Sequence, residues 1–171
     1  MRLKGKAKEV WWNFRQIKDS KEIPLELDMV FAVDSNEDDD YLFYIIEYVK
    51  NIKEIYFKDT CITDDALKYI CQTTGLKKLT LAKHQTITNL SLPYLSNLLD
   101  LEYLDITHTK INLLEIEIFS KLTKLKEMHL SASEEDEILF QKINDLKKQL
   151  PNCLFFINNN PIVTMGGAYI K

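Results

Sequence analysis

The sequence predicts an α/β fold: a short solenoid with a parallel concave sheet, helices on its convex side and a helical cap at the N-terminus. Three observations lead there. The spaced apolar frame Leu101–Leu104–Ile106 recurs as Ile52–Ile55–Phe57, Leu76–Leu79–Leu81 and Leu125–Met128–Leu130. The four starts lie 24, 25 and 24 residues apart. After each of the first three frames comes a polar step and then an isoleucine, at Ile62, Ile87 and Ile111, and the longer step His84–Gln85–Thr86 accounts for the longer middle period. A unit of this size cannot bury its frame alone, whereas stacked units share one continuous core. Repeats of about 20–29 residues on such a frame are the signature of leucine-rich repeats.

The elements follow in order. Residues 1–28 are expected to form a cap segment, with Val10–Trp11–Trp12–Asn13–Phe14 and Ile17 as its apolar helix. Residues 29–157 are the repeats and 158–171 a tail. "MVFAVD" (Met29 to Asp34) reads as a first strand, with either Met29, Phe31 and Val33 or Val30 and Ala32 facing the core. Residues 40–50 make its helix, with Leu42, Ile45, Ile46 and Val49 inward. Thr63 is an N-cap, with Asp64 and Asp65 in the first turn where they favour the helix dipole. Asn112 and Glu115 resemble a capping box for the next helix. Ser133 and Asp136 open a longer one, over 134–150, with Ile138, Leu139, Ile143, Leu146 and Leu150 on one face, and Pro151 stops it. A closing unit aligns Leu150, Cys153 and Phe156 with Leu122, Leu125 and Met128 at an offset of 28. The tail from NNNPIV onward reads as an exit loop.

Composition narrows the function. A chain of 171 residues makes one domain. Only four glycines occur, and none cluster between a strand and a helix, which argues against a phosphate-cradling loop. A net charge of −4 argues against nucleic acid and is compatible with a basic protein partner. Three cysteines (Cys61, Cys71 and Cys153) without tight spacing read as free, buried packing thiols in a reducing compartment. The N-terminus lacks a signal-peptide core, and the longest apolar run, Tyr41 to Ile46, is too short to span a bilayer. A cytoplasmic protein that does not engage membranes is expected.

The stretch ITDDALKYI…LKKLTLAKHQTITNLSL carries a resemblance. It looks like the cysteine-containing leucine-rich repeats of F-box substrate receptors, and it is similar to the small repeat proteins related to ATP synthase subunit s. In both, LxxLxLxxTxITDxxL recurs and an LPNC-like ending follows the last helix, so the likeness covers roughly residues 45–157. It implies protein binding rather than catalysis. No F-box-like helical module precedes the repeats, and the first 40 residues match neither group beyond a Trp-rich start.

The register assigns the outward side chains. One row across the strands holds Glu54, Lys78, Tyr103 and Glu127; the next holds Tyr56, Thr80, Asp105 and His129; the last holds Lys58, Ala82, Thr107 and Ser131. Row neighbours lie about 4.8 Å apart. Tyrosines among charges of both signs suit a protein interface. Asp105, His129 and Ser131 have the types of a nucleophilic triad, but an open sheet offers no oxyanion hole or sheltered pocket. "DSNEDDD" (Asp34 to Asp40) starts like a calcium loop, then has Asp39 where glycine is needed and Ile45 where the bidentate Glu belongs. It reads better as an acidic loop capping a helix, as does "SEEDE" (Ser133 to Glu137). His84, His108 and His129 hold different register positions, so no metal site is expected and His108 belongs to the rim.

These features lead to a non-catalytic protein-binding module without cofactor. An inhibitor or immunity protein occluding a toxin or enzyme is one version, and an adaptor or assembly-factor scaffold is the competing one. A hydrolase is the remote alternative.

Overall fold

The computed structural model describes residues 2–132, 137–162, 164–165 and 168–169. Helix α1 (Gly5–Arg15) leads into β1 (Glu26–Val33), α2 (Asp39–Tyr48), β2 (Asn51–Lys58), α3 (Asp64–Ile70) and β3 (Lys78–Ala82). Then come α4 (Leu92–Leu95), β4 (Tyr103–Asp105), a 3-10 helix (Leu113–Lys121), β5 (Glu127–Leu130), α5 (Glu137–Gln149), β6 (Leu154–Ile157) and β7 (Asn160–Pro161). The seven strands form one sheet in chain order, parallel throughout except for β7, which turns back on β6. The helices pack against each other in the same order. The chain is therefore α/β, with a mostly parallel open sheet and a helical layer.

The core lies between the sheet and the helices. Ile55 and Phe57 of β2 sit in register with Leu79 and Leu81 of β3, Ile52 of β2 with Leu27 of β1, and all are buried. Leu104, Met128 and Phe155 continue that line across β4, β5 and β6. After the strands the chain enters the left-handed region at Asp34, Asp59, Lys83, His108 and Asn158, with φ between 48° and 62°. The turn is fixed by backbone bonds across the sheet: Asp34 N–H donates to the Lys58 carbonyl (3.0 Å), Asp59 N–H to Ala82 (3.1 Å) and Lys83 N–H to Thr107 (2.9 Å).

A second ladder ties the helix starts together. Asp39 accepts hydrogen bonds from Thr63 N (2.7 Å) and Thr63 Oγ1 (2.6 Å). Asp64 accepts from Thr88 N (2.8 Å), Thr88 Oγ1 (2.7 Å) and the Ser91 hydroxyl. Asn89 Oδ1 accepts from Asn112 N (2.5 Å). Thr63 is the N-cap of α3, its Oγ1 accepting from Asp65 N at 3.2 Å. Asp64 thus satisfies the next unit's N-cap, a larger role than favouring its own helix dipole.

The cap helix is where the aromatic-rich start places it. Trp11 is fully buried and donates its indole N–H to the Tyr44 carbonyl (3.1 Å), with Phe14 and Tyr48 edge-on at 5.7 and 6.1 Å. Lys6 holds Asp40 (2.5 Å) and Asp38 (3.4 Å), while Asp38 caps α2 through Tyr41 N (3.1 Å). The acidic loop is spent on capping and on anchoring the first helix.

Several expectations need correction. The first strand starts at Glu26, and Leu27, Val30 and Ala32 are its buried residues; Met29, Phe31 and Val33 face outward. The segment after Asn112 is 3-10 rather than α-helical. Its buried residues, Ile116 and Phe119, are three apart, the 3-10 period. Asn112 caps it by accepting from Leu114 N (3.0 Å), but Glu115 bonds Asn89 Nδ2 (2.5 Å) instead of closing a capping box. In α5, Leu139, Ile143, Leu146 and Leu150 are buried, whereas Ile138 is 64% exposed because it lies about 100° around the helix from Leu139. Ser133 and Asp136 lie outside the described residues.

The closing unit is offset by one residue. Leu150 and Cys153 are buried as aligned, but Met128 pairs with Phe155, and Phe156 pairs with His129. The last frame is Cys153-x-Phe155-x-Ile157, one residue shorter, and a one-residue slip in a strand moves every side chain to the other face. Phe156 therefore faces outward. The tail begins with a tight antiparallel return (Phe156 opposite Pro161), and Thr164–Met165 pairs with Ala168–Tyr169 as a second small ribbon rather than a plain exit loop.

Candidate interaction face

The outward side of the sheet gathers the residues that the register singled out. Glu54, Lys78, Tyr103 and Glu127 are consecutive partners across β2 to β5, and so are Tyr56, Thr80, Asp105 and His129; Lys58 pairs with Ala82. Thr107 and Ser131 follow β4 and β5. Thr80, Ala82 and Thr107 are buried, so three of these positions offer almost no side-chain surface.

Both ends of the rows are longer than the sequence frame showed. Met29, Phe31 and Val33 extend them on β1, and Leu154 and Phe156 on β6. The signals were present: β1 was readable in two registers, and the last frame differs by one residue.

At the β4–β6 end the aromatic groups stack. The His129 ring lies parallel to Phe156, 4.5 Å between centroids and 3° between planes, and 5.2 Å from Tyr103. His129 Nε2 meets a Glu127 carboxylate oxygen at 2.6 Å. Burial, with Asp105, Glu127, Tyr56 and Glu54 nearby, pushes the Tyr103 hydroxyl up to about 12. It stays a neutral donor at ordinary pH. Lys78 answers Glu54 at 3.8 Å, while among the described residues Asp105 accepts only a backbone bond, from Thr107 N at 2.9 Å. The centre of the face is an aromatic patch with carboxylates around it.

No triad assembles. His129 engages Glu127, Asp105 engages its own strand, and Ser131 Oγ accepts from His108 N at 3.1 Å. A cavity of about 140 Å³ lies away from these rows, between Cys71, Leu76, Leu98 and Asp100. Among the described residues no cluster of His, Cys, Asp and Glu is arranged to hold a metal ion.

The other singled-out residues separate. His108 is exposed in a left-handed turn at the rim, like Asp59 and Lys83. Cys153 is buried and Cys71 half-buried at the end of α3, and burial raises both thiols, Cys153 to about 12. Cys61 is exposed, contrary to its expected packing role, because the turn after β2 carries it outward. Among the described residues no helix is long and apolar enough to cross a membrane.

His84, which the sequence assigns only to the polar step after the Leu76–Leu79–Leu81 frame, is a core residue. It is 1% exposed, and its Nε2 accepts from Thr60 N (3.2 Å) and Thr60 Oγ1 (2.8 Å), so the ring proton sits on Nδ1. Burial lowers its pKa from the ordinary 6.5, against weaker opposing pulls from the Leu81 carbonyl and Asp59. Below that value the unfolded chain takes up a proton that the folded chain resists, so stability falls as pH drops from 6.5. Urea unfolding between pH 7.5 and 5 should show this slope, and His84→Gln should flatten it. An unchanged slope in the variant would remove His84 as its source.

Comparison of the chain with protein-family models and with curated protein sequences returned no match.

Proposed function

We propose that this chain is a non-catalytic protein-binding module of leucine-rich-repeat type, holding a basic partner on the outward sheet face. The observation that carries the reading is the Tyr103 cluster: the half-buried rings of Tyr103, His129 and Phe156, packed together on the outward face beside Asp105, Glu54 and Glu127. Tyrosines supply large contact area at low entropic cost, and a carboxylate beside a ring suits a guanidinium or ammonium group. The regular spacing of frames, left-handed turns and helix-start latches supports the repeat reading. The net charge of −4 agrees with a basic partner.

In the version favoured here the module is a cytoplasmic inhibitor or immunity protein, and the face occludes its target. Affinity capture from the native host identifies the partner, and its activity is then measured with the purified chain. An inhibitor abolishes that activity at a one-to-one ratio, while an adaptor leaves it intact. Tyr103→Ala combined with Asp105→Ala is expected to weaken binding by about 3 kcal/mol, roughly a hundredfold, with little effect on folding. Unchanged affinity in that double variant would sink the face as the binding surface.

A further inference from the structure

The two ends of the sheet are finished differently. At the β7 end the edge is two residues long, and one of them, Pro161, has no N–H to offer. At the other end β1 runs for eight residues, Glu26–Val33, and pairs only with β2. Among the described residues no hydrogen bond reaches its outer side. Natural edges are guarded by charged side chains, lysine above all, by proline or by a covering loop; ELDMVFAV carries two exposed acids at its start, Glu26 and Asp28, and neither lysine nor proline. From Met29 onward its outward side chains are apolar: Met29 is 37%, Phe31 61% and Val33 42% exposed, with Leu25 almost bare ahead of the strand.

Charge disfavours two of the registers in which a second copy could pair. In an antiparallel pair of two copies, the register that sets Phe31 against itself also sets Asp28 against Asp34, and the register centred on Val30 sets Glu26 against Asp34. Twofold symmetry repeats each clash, and like charges directly opposite are destabilising. Lys53 answers Asp28 at 2.7 Å and Asn51 Nδ2 donates to Glu26 at 3.1 Å, but among the described residues no ion pair forms at Glu26 or Asp34. We infer that the outer edge of β1 accepts an extended strand from a partner protein, with alternating apolar side chains over Met29, Phe31 and Val33 and basic residues at its two ends. The inserted strand extends the sheet by main-chain hydrogen bonds, with side-chain contacts giving specificity. This inference stands apart from the Tyr103 cluster, which lies on β4.

The test uses the full, isotope-labelled chain and a blocked peptide of alternating Val or Phe and Thr with a Lys at each end. The peptide should shift the amide signals of residues 26–33 and slow their hydrogen exchange, while the signals of Tyr103 and His129 stay in place. A peptide with Glu ends should bind about tenfold more weakly. One N-methylated at alternate amides should not bind, since it cannot complete the edge. Phe31→Lys, an exposed change compatible with folding, should weaken the Lys-ended peptide. The inference is overturned if no peptide moves β1, if the N-methylated peptide binds equally, or if β1 is protected in the free chain in a concentration-dependent way, the sign of a second copy on the edge. Loss of partner binding on Tyr103→Ala with Asp105→Ala, alongside unmoved β1 signals, would retain the face and dismiss the edge.

Discussion

Phe155→Ala is expected to lower the unfolding free energy by about 4 kcal/mol, and Phe156→Ala by about 1 kcal/mol or less. The two residues are adjacent and chemically identical, so the contrast comes from which way each side chain points. Phe155 is 1% exposed in the core beside Met128, and its loss leaves a cavity closed in by the helical layer. Phe156 lies on the outer face, where its ring stacks on His129 and the space it vacates fills with water. Denaturant unfolding of both variants, read by circular dichroism, gives the ranking. The reverse order would mean that the last strand follows the same apolar frame as the others.

Asp64→Ala should cost about 3 kcal/mol, whereas Asp65→Ala, one residue further on, should change stability by no more than about 0.5 kcal/mol. Both acids sit in the first turn of α3 and lose the same interaction with its dipole. Asp65 pairs only with the exposed Lys68, at 2.5 Å. Asp64 reaches into the next unit, where Thr88 N, Thr88 Oγ1 and Ser91 Oγ all donate to it. Hydrogen bonds to a charged acceptor contribute about 1.5–3 kcal/mol each, and losses within one cluster are less than additive. Asp64→Asn keeps one acceptor oxygen and should recover part of the loss. Equal effects at the two acids, measured by the same unfolding experiment, would reduce the latch to a dipole effect.

Much of the fold was legible because the apolar frame is periodic. The register of β2 to β5 follows from counting, and so do the outward rows, since side chains alternate along a strand. Counting failed where the period changes. In the last unit one residue is missing between Cys153 and the next core side chain, and nothing local marks the deletion. In β1 both phases of MVFAV are apolar, so alternation cannot choose between them. The 3-10 segment was misread because INLLEIEIF is apolar at several spacings, and the distance to be bridged, which is tertiary, selects the more extended helix. The latches escaped for a related reason. Asp64 looks like an ordinary first-turn acid in sequence, and its partners lie 24 and 27 residues away. For the face, counting placed the rows from β2 to β5, left Phe31 open between two registers and aligned Phe156 with the core, because both are apolar residues on an exposed surface.

Strand order equal to chain order has a further consequence. Among the described residues each strand of the seven-stranded sheet pairs only with the one before it and the one after it, and neighbouring helices pack in the same order. Distant segments are therefore coupled only through the units between them, as links in a chain are. A break in the middle leaves two fragments that each keep most of their own contacts, while a break at Trp11 or Phe155 strips one terminal link and leaves its neighbour as the new end. If the chain is the repeat module proposed above, it is expected to melt from its ends inward, and its length could change by whole links without altering the plan of the rest.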